Sequence, residues 1–127
     1  VMIRFLHMKC STEPIQEKDM LAMLGNGVYI GRLWYTYPIN GAAKADVTST
    51  VIGDSYIVRD GQIASPLKPN TVRVNDNVVK MFNNIIAATD RPYPTIVWHS
   101  ESIVHAPYLV IKGVHLDNIA EFMDALK

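Results

Sequence analysis

The chain of 127 residues has a single cysteine, no net charge and no long apolar run, and each shortage excludes a class of protein. With Cys10 alone no internal disulfide can form, which argues against a stapled secreted scaffold and suits a reducing cytoplasm. Twelve basic residues balance twelve acidic ones, so the basic excess of a nucleic-acid platform is missing. No stretch approaches the roughly 18 consecutive apolar residues of a membrane-spanning helix. The opening Val1 to His7, broken by Arg4 and His7, does not read as a signal peptide. Equally missing are a Gly-rich phosphate loop, a Gly-x-Ser-x-Gly elbow, a Cys-x-x-Cys pair and a His-Glu-x-x-His helix. No catalytic residue is therefore assigned in this chain.

What is present is an ordinary globular composition, 49% hydrophobic and 19% charged, at a length that suits one domain spanning residues 1–127. Residues 2–9 alternate as a first strand, and Ser11 to Leu24 carries a helix stopped by Gly25 and Gly27. Val28 to Tyr37 is rich in β-branched and aromatic residues, which predicts a strand closed by Pro38. Asn40-Gly41 marks a turn before a strand over residues 46–52. Asp60-Gly61 sits between Ser55–Arg59 and Gln62–Ser65, the pattern of a two-residue hairpin. A short strand follows over residues 71–74. Asn75 or Asp76 then caps a helix whose Val78, Phe82, Ile85, Ile86 and Thr89 fall at helical spacing. Pro92 and Pro94 make residues 90–94 a stiff linker. Strands over 95–99 and 108–116, and a helix capped by Asp117 or Asn118, complete the chain. Strands in runs with helices between the runs predict an α+β fold, a mainly antiparallel twisted sheet with about three helices.

Three groups of residues offer chemistry. Trp34, Tyr35 and Tyr37 on one strand, with Asp46 and Thr48 on the next, form a candidate substrate groove, since aromatics give large contact area at small entropic cost. The plainer alternative is cross-strand packing beside a solvated polar face. His99 and His105 flank a short connection and would need a third ligand from Glu101, Cys10 or His7 to hold a metal. Surface histidines are far commoner than ligands. Cys10 lies beside Lys9 and ahead of a helix, a setting that can activate a thiolate, although a cysteine with no placed histidine is usually inert.

The order of motifs is more specific than any one of them. Gly27-Val28-Tyr29-Ile30, Asp46-Val47-Thr48, the hairpin from Asp54 to Lys68, Val72 to Asn77 and Pro107 to Val114 follow one another as in the C-terminal domain of the TldD/PmbA family, which residues 27 to 116 resemble. The resemblance implies the back part of a two-domain peptidase or its partner subunit, cytoplasmic, acting in peptide maturation or proteolysis as a homodimer or paired heterodimer. Members were first described as modulators of DNA gyrase; the balanced charge here disfavours direct DNA binding. It implies zinc in the parent protein, held by His-Glu-x-x-x-His from a preceding region and a late cysteine, with none expected for this chain alone. Neither motif is present here. The late cysteine falls, by counting back from Pro107, near Trp98 and His99, which makes His99 a candidate substitute ligand. The expected partners are a peptide substrate, the protein's own N-terminal domain and a second subunit, with no nucleic acid and no membrane. The alternatives are a non-catalytic binding or dimerisation module and a free-standing small enzyme using His99 and His105.

Overall fold

The computed structural model describes residues 6–7, 13–97 and 103–119. Twelve strands are arranged there in four small sheets. Strand β1 (Leu6–His7) is followed by a 3₁₀ turn (Glu17–Asp19) and helix α1 (Met20–Leu24). Next come β2 (Gly27–Tyr29), β3 (Leu33–Pro38), β4 (Asp46–Val51), β5 (Tyr56–Arg59), β6 (Gln62–Pro66) and β7 (Val72–Asn77). Helix α2 (Val78–Asn83) precedes β8 (Ile85–Ala88), β9 (Tyr93–Ile96), β10 (Ile103–Ala106), β11 (Leu109–Ile111) and β12 (Leu116–Asn118). The largest sheet has the order β12-β7-β4-β3; the others are β2-β5-β6, β1-β10-β9 and β11-β8. Every pairing between these strands is antiparallel except that of β1 with β10. The α+β reading with mainly antiparallel sheet is thus observed. No helix among the described residues is long and apolar enough to cross a membrane.

The hairpin at Asp60-Gly61 forms as expected, with φ of 50° and 73° at the two turn residues, the left-handed pair that this turn requires. The expected strand over Val28 to Tyr37 is broken at Ile30–Arg32. A Cβ on Gly31 would stand 2.0 Å from the Asp54 carbonyl oxygen, so only glycine fits this crossing. The Gly31 N–H donates to Ser55 Oγ at 3.2 Å, and Arg32 pairs with Asp54 at 2.6 Å. These contacts tie the start of β3 to the loop before β5.

Two of the expected helices are seen, and both are shorter than expected. The described residues hold two short α-helices. The long helix expected over residues 75 to 89 ends at Asn83, and Asn77, rather than Asn75 or Asp76, caps it by accepting from the Lys80 N–H at 3.2 Å. Ile85–Ala88 instead pairs with β11. Short runs of β-branched residues satisfy helical and extended spacing alike, and here burial of Ala87 and Ala88 against a neighbouring strand decides. Asp117 and Asn118, the expected caps of a third helix, lie in β12, and residues 120–127 of that helix lie outside the described residues. Pro94 is inside β9, and this is tolerated because β9 is the edge of its sheet. The expected strand over 108–116 is two strands, divided at Gly113 with φ of 70°.

The core is thin. Among the described residues Val51, Val58, Val74, Ala87, Ala88 and Val110 are the buried apolar ones, none larger than valine. Thirteen large apolar residues, Trp34, Tyr35 and Phe82 among them, are exposed.

Candidate functional site

The four-stranded sheet carries its chemistry on one face. Cross-strand partners share a face, so register assigns the sides. One row reads Asp117–Arg73–Thr50–Trp34 across β12, β7, β4 and β3. The next reads Asn75–Thr48–Tyr37, and Asn77–Asp46 follows. The opposite face carries Leu116, Val74, Ser49, Val51 and Leu33. One side therefore packs and the other is polar with an aromatic rim.

The centre of the polar face is a hydrogen-bonded network. The Thr48 hydroxyl, 5% exposed, donates to Asn75 Oδ1 at 2.5 Å, and Asn75 Nδ2 donates to Asp117 Oδ2. The other Asp117 oxygen meets His115 Nε2 at 2.8 Å. Donation from Asn75, then from His115, holds the Asp117 carboxyl below the usual carboxylate range. Asp46 accepts from Asn40 Nδ2 at 2.9 Å and Asn77 Nδ2 at 2.8 Å, which likewise keeps its carboxyl low. Both Asp46 oxygens are engaged in joining the loop after β3 to the cap of α2.

Strand β3 is different. It is the edge of its sheet, and all six of its residues are exposed. Its pairing with β4 slips between Trp34 and Tyr37, a bulge in which Tyr35 adopts φ of 53°. A bulky residue in the left-handed region is strained, and such strain marks places where the structure holds a side chain in a chosen direction. The Tyr35 and Trp34 rings meet edge to face at 5.4 Å.

Two depressions share this strand as a wall. On the polar side lies a pocket of about 170 Å³ lined by Tyr35, Tyr37, Thr48, Thr50 and Arg73. On the other lies an open trough of about 1400 Å³ whose lining includes β3 together with Met20, Leu24, Val28, Leu109 and Val114. Of the candidate groove residues, Tyr35 and Thr48 meet in the polar pocket, and Trp34 stands beside them. Asp46 lies two residues along β4, held by its asparagines. Arg73 and Asn75 were not foreseen as site residues; the alternation Val72-Arg73-Val74-Asn75 on one longer strand is the signal that places them together.

The metal candidates gain little. His99, Cys10 and Glu101 lie outside the described residues. His7 and His105 are register partners on adjacent parallel strands. Among the described residues no three His, Cys, Asp or Glu side chains gather as a metal site.

A tyrosine cluster borders the trough. Tyr93 and Tyr108 rings are 4.7 Å apart, and the Tyr93 hydroxyl donates to Glu17 Oε2 at 2.6 Å. That bond, with some loss of solvent, raises the Tyr93 phenol above its ordinary value. Burial, then the neighbouring Tyr108, raises Tyr29 as well.

Fold and site together define a small α+β domain of short antiparallel sheets that presents an aromatic sheet edge. Its family follows from comparison: the model of the PmbA/TldA metallopeptidase C-terminal domain matches residues 1–118, and the chain belongs to that family. Solved structures agree in fold. A Bacteroides thetaiotaomicron protein named as a modulator of DNA gyrase aligns over 85% of this chain at 17% identity, with a TM-score of 0.66. TldE from Thermococcus kodakarensis aligns over 81% at 10% identity and 0.63. A Thermotoga maritima protein, also named as a gyrase modulator, aligns over 82% at 11% identity and 0.60. The chain spans 22% of the length of each of these. No curated protein matches it.

Proposed function

We propose that this chain serves as the C-terminal domain of a TldD/PmbA-type peptidase or its partner subunit, and that it presents β3 as an edge on which an extended peptide adds. The observation that carries this reading is the position of β3. Among the described residues no strand pairs with its outer edge, its residues are exposed, and an apolar trough and a polar pocket lie on its two sides. Successive side chains of a strand point to opposite faces. An alternating peptide along β3 would place apolar side chains over the trough and polar ones toward the pocket, while main-chain hydrogen bonds supply affinity. Metal chemistry, where the parent protein performs it, is assigned to groups beyond the described residues, and no step is routed through this chain.

Amide hydrogen exchange on the full-length protein tests this, with a capped heptapeptide of alternating apolar and polar residues as the probe. Slower exchange across residues 33–38 on peptide binding is expected. Bound peptide with unchanged exchange there would exclude β3 as the docking edge.

A second reading, a non-catalytic dimerisation module, draws on the thin core. Thirteen exposed large apolar residues against six small buried ones imply that other protein surface covers part of this chain, either its own N-terminal domain or a second subunit. Sedimentation of the full-length protein, with and without Phe82→Asp on the exposed side of α2, separates the two. Dissociation with peptide binding intact would place the dimer contact there.

A further inference from the structure

Arg73 sits at the middle of a polar face where a cation has no obvious structural duty. Its cross-strand neighbour on β4 is Thr50, which carries no charge, and the one on β12 is Asp117. Asp117 already has one oxygen on Asn75 and the other on His115. The Arg73 Nε–H is shut off from solvent and has no hydrogen-bond partner among the described residues. A donor left unpaired in this way is destabilising. Buried donors are satisfied in the great majority of structures, so an exception calls for an explanation.

The Nε–H itself is shielded, so the neighbouring pocket meets other atoms of the Arg73 side chain. Arg73 lines it together with two threonines and two tyrosines, all bearing hydroxyls. Its volume of about 170 Å³ is several times the ~30 Å³ that one water occupies in the liquid. That is room for a small charged group and no more. The strained backbone at Tyr35 turns one wall of the pocket, and the Tyr35 and Tyr37 side chains, 66% and 49% exposed, leave its mouth at the surface.

Resting on the peptide-edge reading above, we infer that this pocket is a carboxylate subsite, in which the Arg73 guanidinium receives one carboxylate of a peptide laid along β3. The planar donor fork of arginine matches the two oxygens of a carboxylate, and threonine and tyrosine hydroxyls complete its lone pairs. Charge selects the class of anion. Asp117, across the strand from Arg73, offsets part of the guanidinium charge, so the site suits a monoanion over a phosphate dianion. The carboxylate has two sources in a peptide, an acidic side chain or the C-terminus, and both present the same group.

The test uses one alternating heptapeptide in three forms, read by fluorescence anisotropy on the full-length protein. The first has Asn at its centre and an amidated end, so it carries no carboxylate. The second has Asp at the centre and an amidated end; the third has Asn and a free C-terminus. Wild type should bind the second or the third at least tenfold more tightly than the first, and which one it prefers identifies the source. Arg73→Met should erase that preference and leave the carboxylate-free peptide within twofold of its wild-type affinity. No preference in wild type, or a preference that survives Arg73→Met, overturns the subsite. If Arg73→Met does not fold, Thr50→Val, which keeps shape and removes one hydroxyl, should reduce the preference severalfold; an unchanged preference there counts against the proposal. Failure of all three peptides to bind would refute the β3 edge and not the pocket. The pocket is then decided by sodium acetate against sodium chloride at equal ionic strength, read on the Arg73 Nε–Hε resonance of arginine-labelled protein. A saturable shift with acetate alone upholds it, and no shift overturns it.

Discussion

Strands β4 and β7 lie side by side with β3 in one sheet, yet the inner pair and the edge are built on opposite terms. Val51 and Val74 are 1% and 2% exposed, and Thr48 and Asn75 are joined side chain to side chain. The edge strand has no buried residue, a bulge and a tyrosine with positive φ. The inner strands put their side chains into stability. The edge keeps aromatic surface exposed and strained, the state expected of a surface that gains its partner on binding. Substitutions should therefore separate: changes on the packed side of the inner strands move stability and leave peptide affinity alone, whereas changes to the exposed side chains of β3 do the reverse.

The largest effect is expected where the edge is anchored. Gly31→Ala would drive a Cβ into the Asp54 carbonyl, a backbone atom that cannot swing away. A loss of about 3 kcal/mol is expected, at the upper end of overpacking costs, seen as a lower urea midpoint. A midpoint within experimental error of wild type would mean that the β2–β3 crossing relaxes freely. Val74→Ala comes next, at about 2 kcal/mol for lost burial plus a cavity. The same measurement on Val79→Ala, 58% exposed, should show less than about 0.5 kcal/mol. Equal losses at the two sites would erase the distinction between inner sheet and surface.

Asp76 lies on the packed side, its side chain 5% exposed. Burial pushes its carboxyl upward, but donation from the His115 and Asn77 N–H groups and from Lys80 outweighs this and leaves it below the usual range. A carboxyl depressed in the folded state stabilises above its unfolded value, about 3.9. That stabilisation disappears as pH falls through the lower folded value. Asp76→Asn should therefore lose about 1–2 kcal/mol near neutrality, and the gap to wild type should narrow below about pH 4. Urea midpoints from pH 7 to pH 2.5 check this. A gap that persists undiminished at the acid end would show that packing, and not charge, is what Asp76 supplies.

Much of this division was legible in the residues wherever the signal was local. The Asp60-Gly61 hairpin and the strand at Asp46 need only their immediate neighbours, and both stand as expected. Trp34, Tyr35 and Thr48 can be placed on neighbouring strands from the sequence because their β-branched and aromatic runs are local signals. Arg73 is not placed with them, since the local pattern ends the strand carrying it at Val74. What joins Arg73 to Thr50 and Trp34 is register between residues well separated along the chain, which no local pattern encodes. The helix over 75–89 failed for a related reason. Ile85 and Ile86 fit a helical stripe, but β11, a distant partner, captures them as a strand. Pro94 misled in the same way, because a proline excludes only an inner strand and β9 is an edge.

The smallest effect on stability should have the opposite sign, and it tests the comparison most sharply. Tyr35 holds φ of 53° with its side chain 66% exposed, so it carries strain without burial in return. Glycine adopts that backbone at no steric penalty. Tyr35→Gly should therefore leave stability unchanged or raise it by up to about 1 kcal/mol, set by relief of the left-handed strain against the greater entropy of an unfolded glycine. The same substitution removes the ring that walls the pocket and packs edge-on against Trp34. Affinity for the alternating heptapeptide should fall about tenfold, the ~1.4 kcal/mol expected when one aromatic contact is lost. A lower urea midpoint would place Tyr35 among the structural residues of the sheet. Unchanged peptide affinity would leave its strain without a binding role. Gain or constancy in stability, together with loss of binding, is the pattern that only a strand held ready for a partner produces.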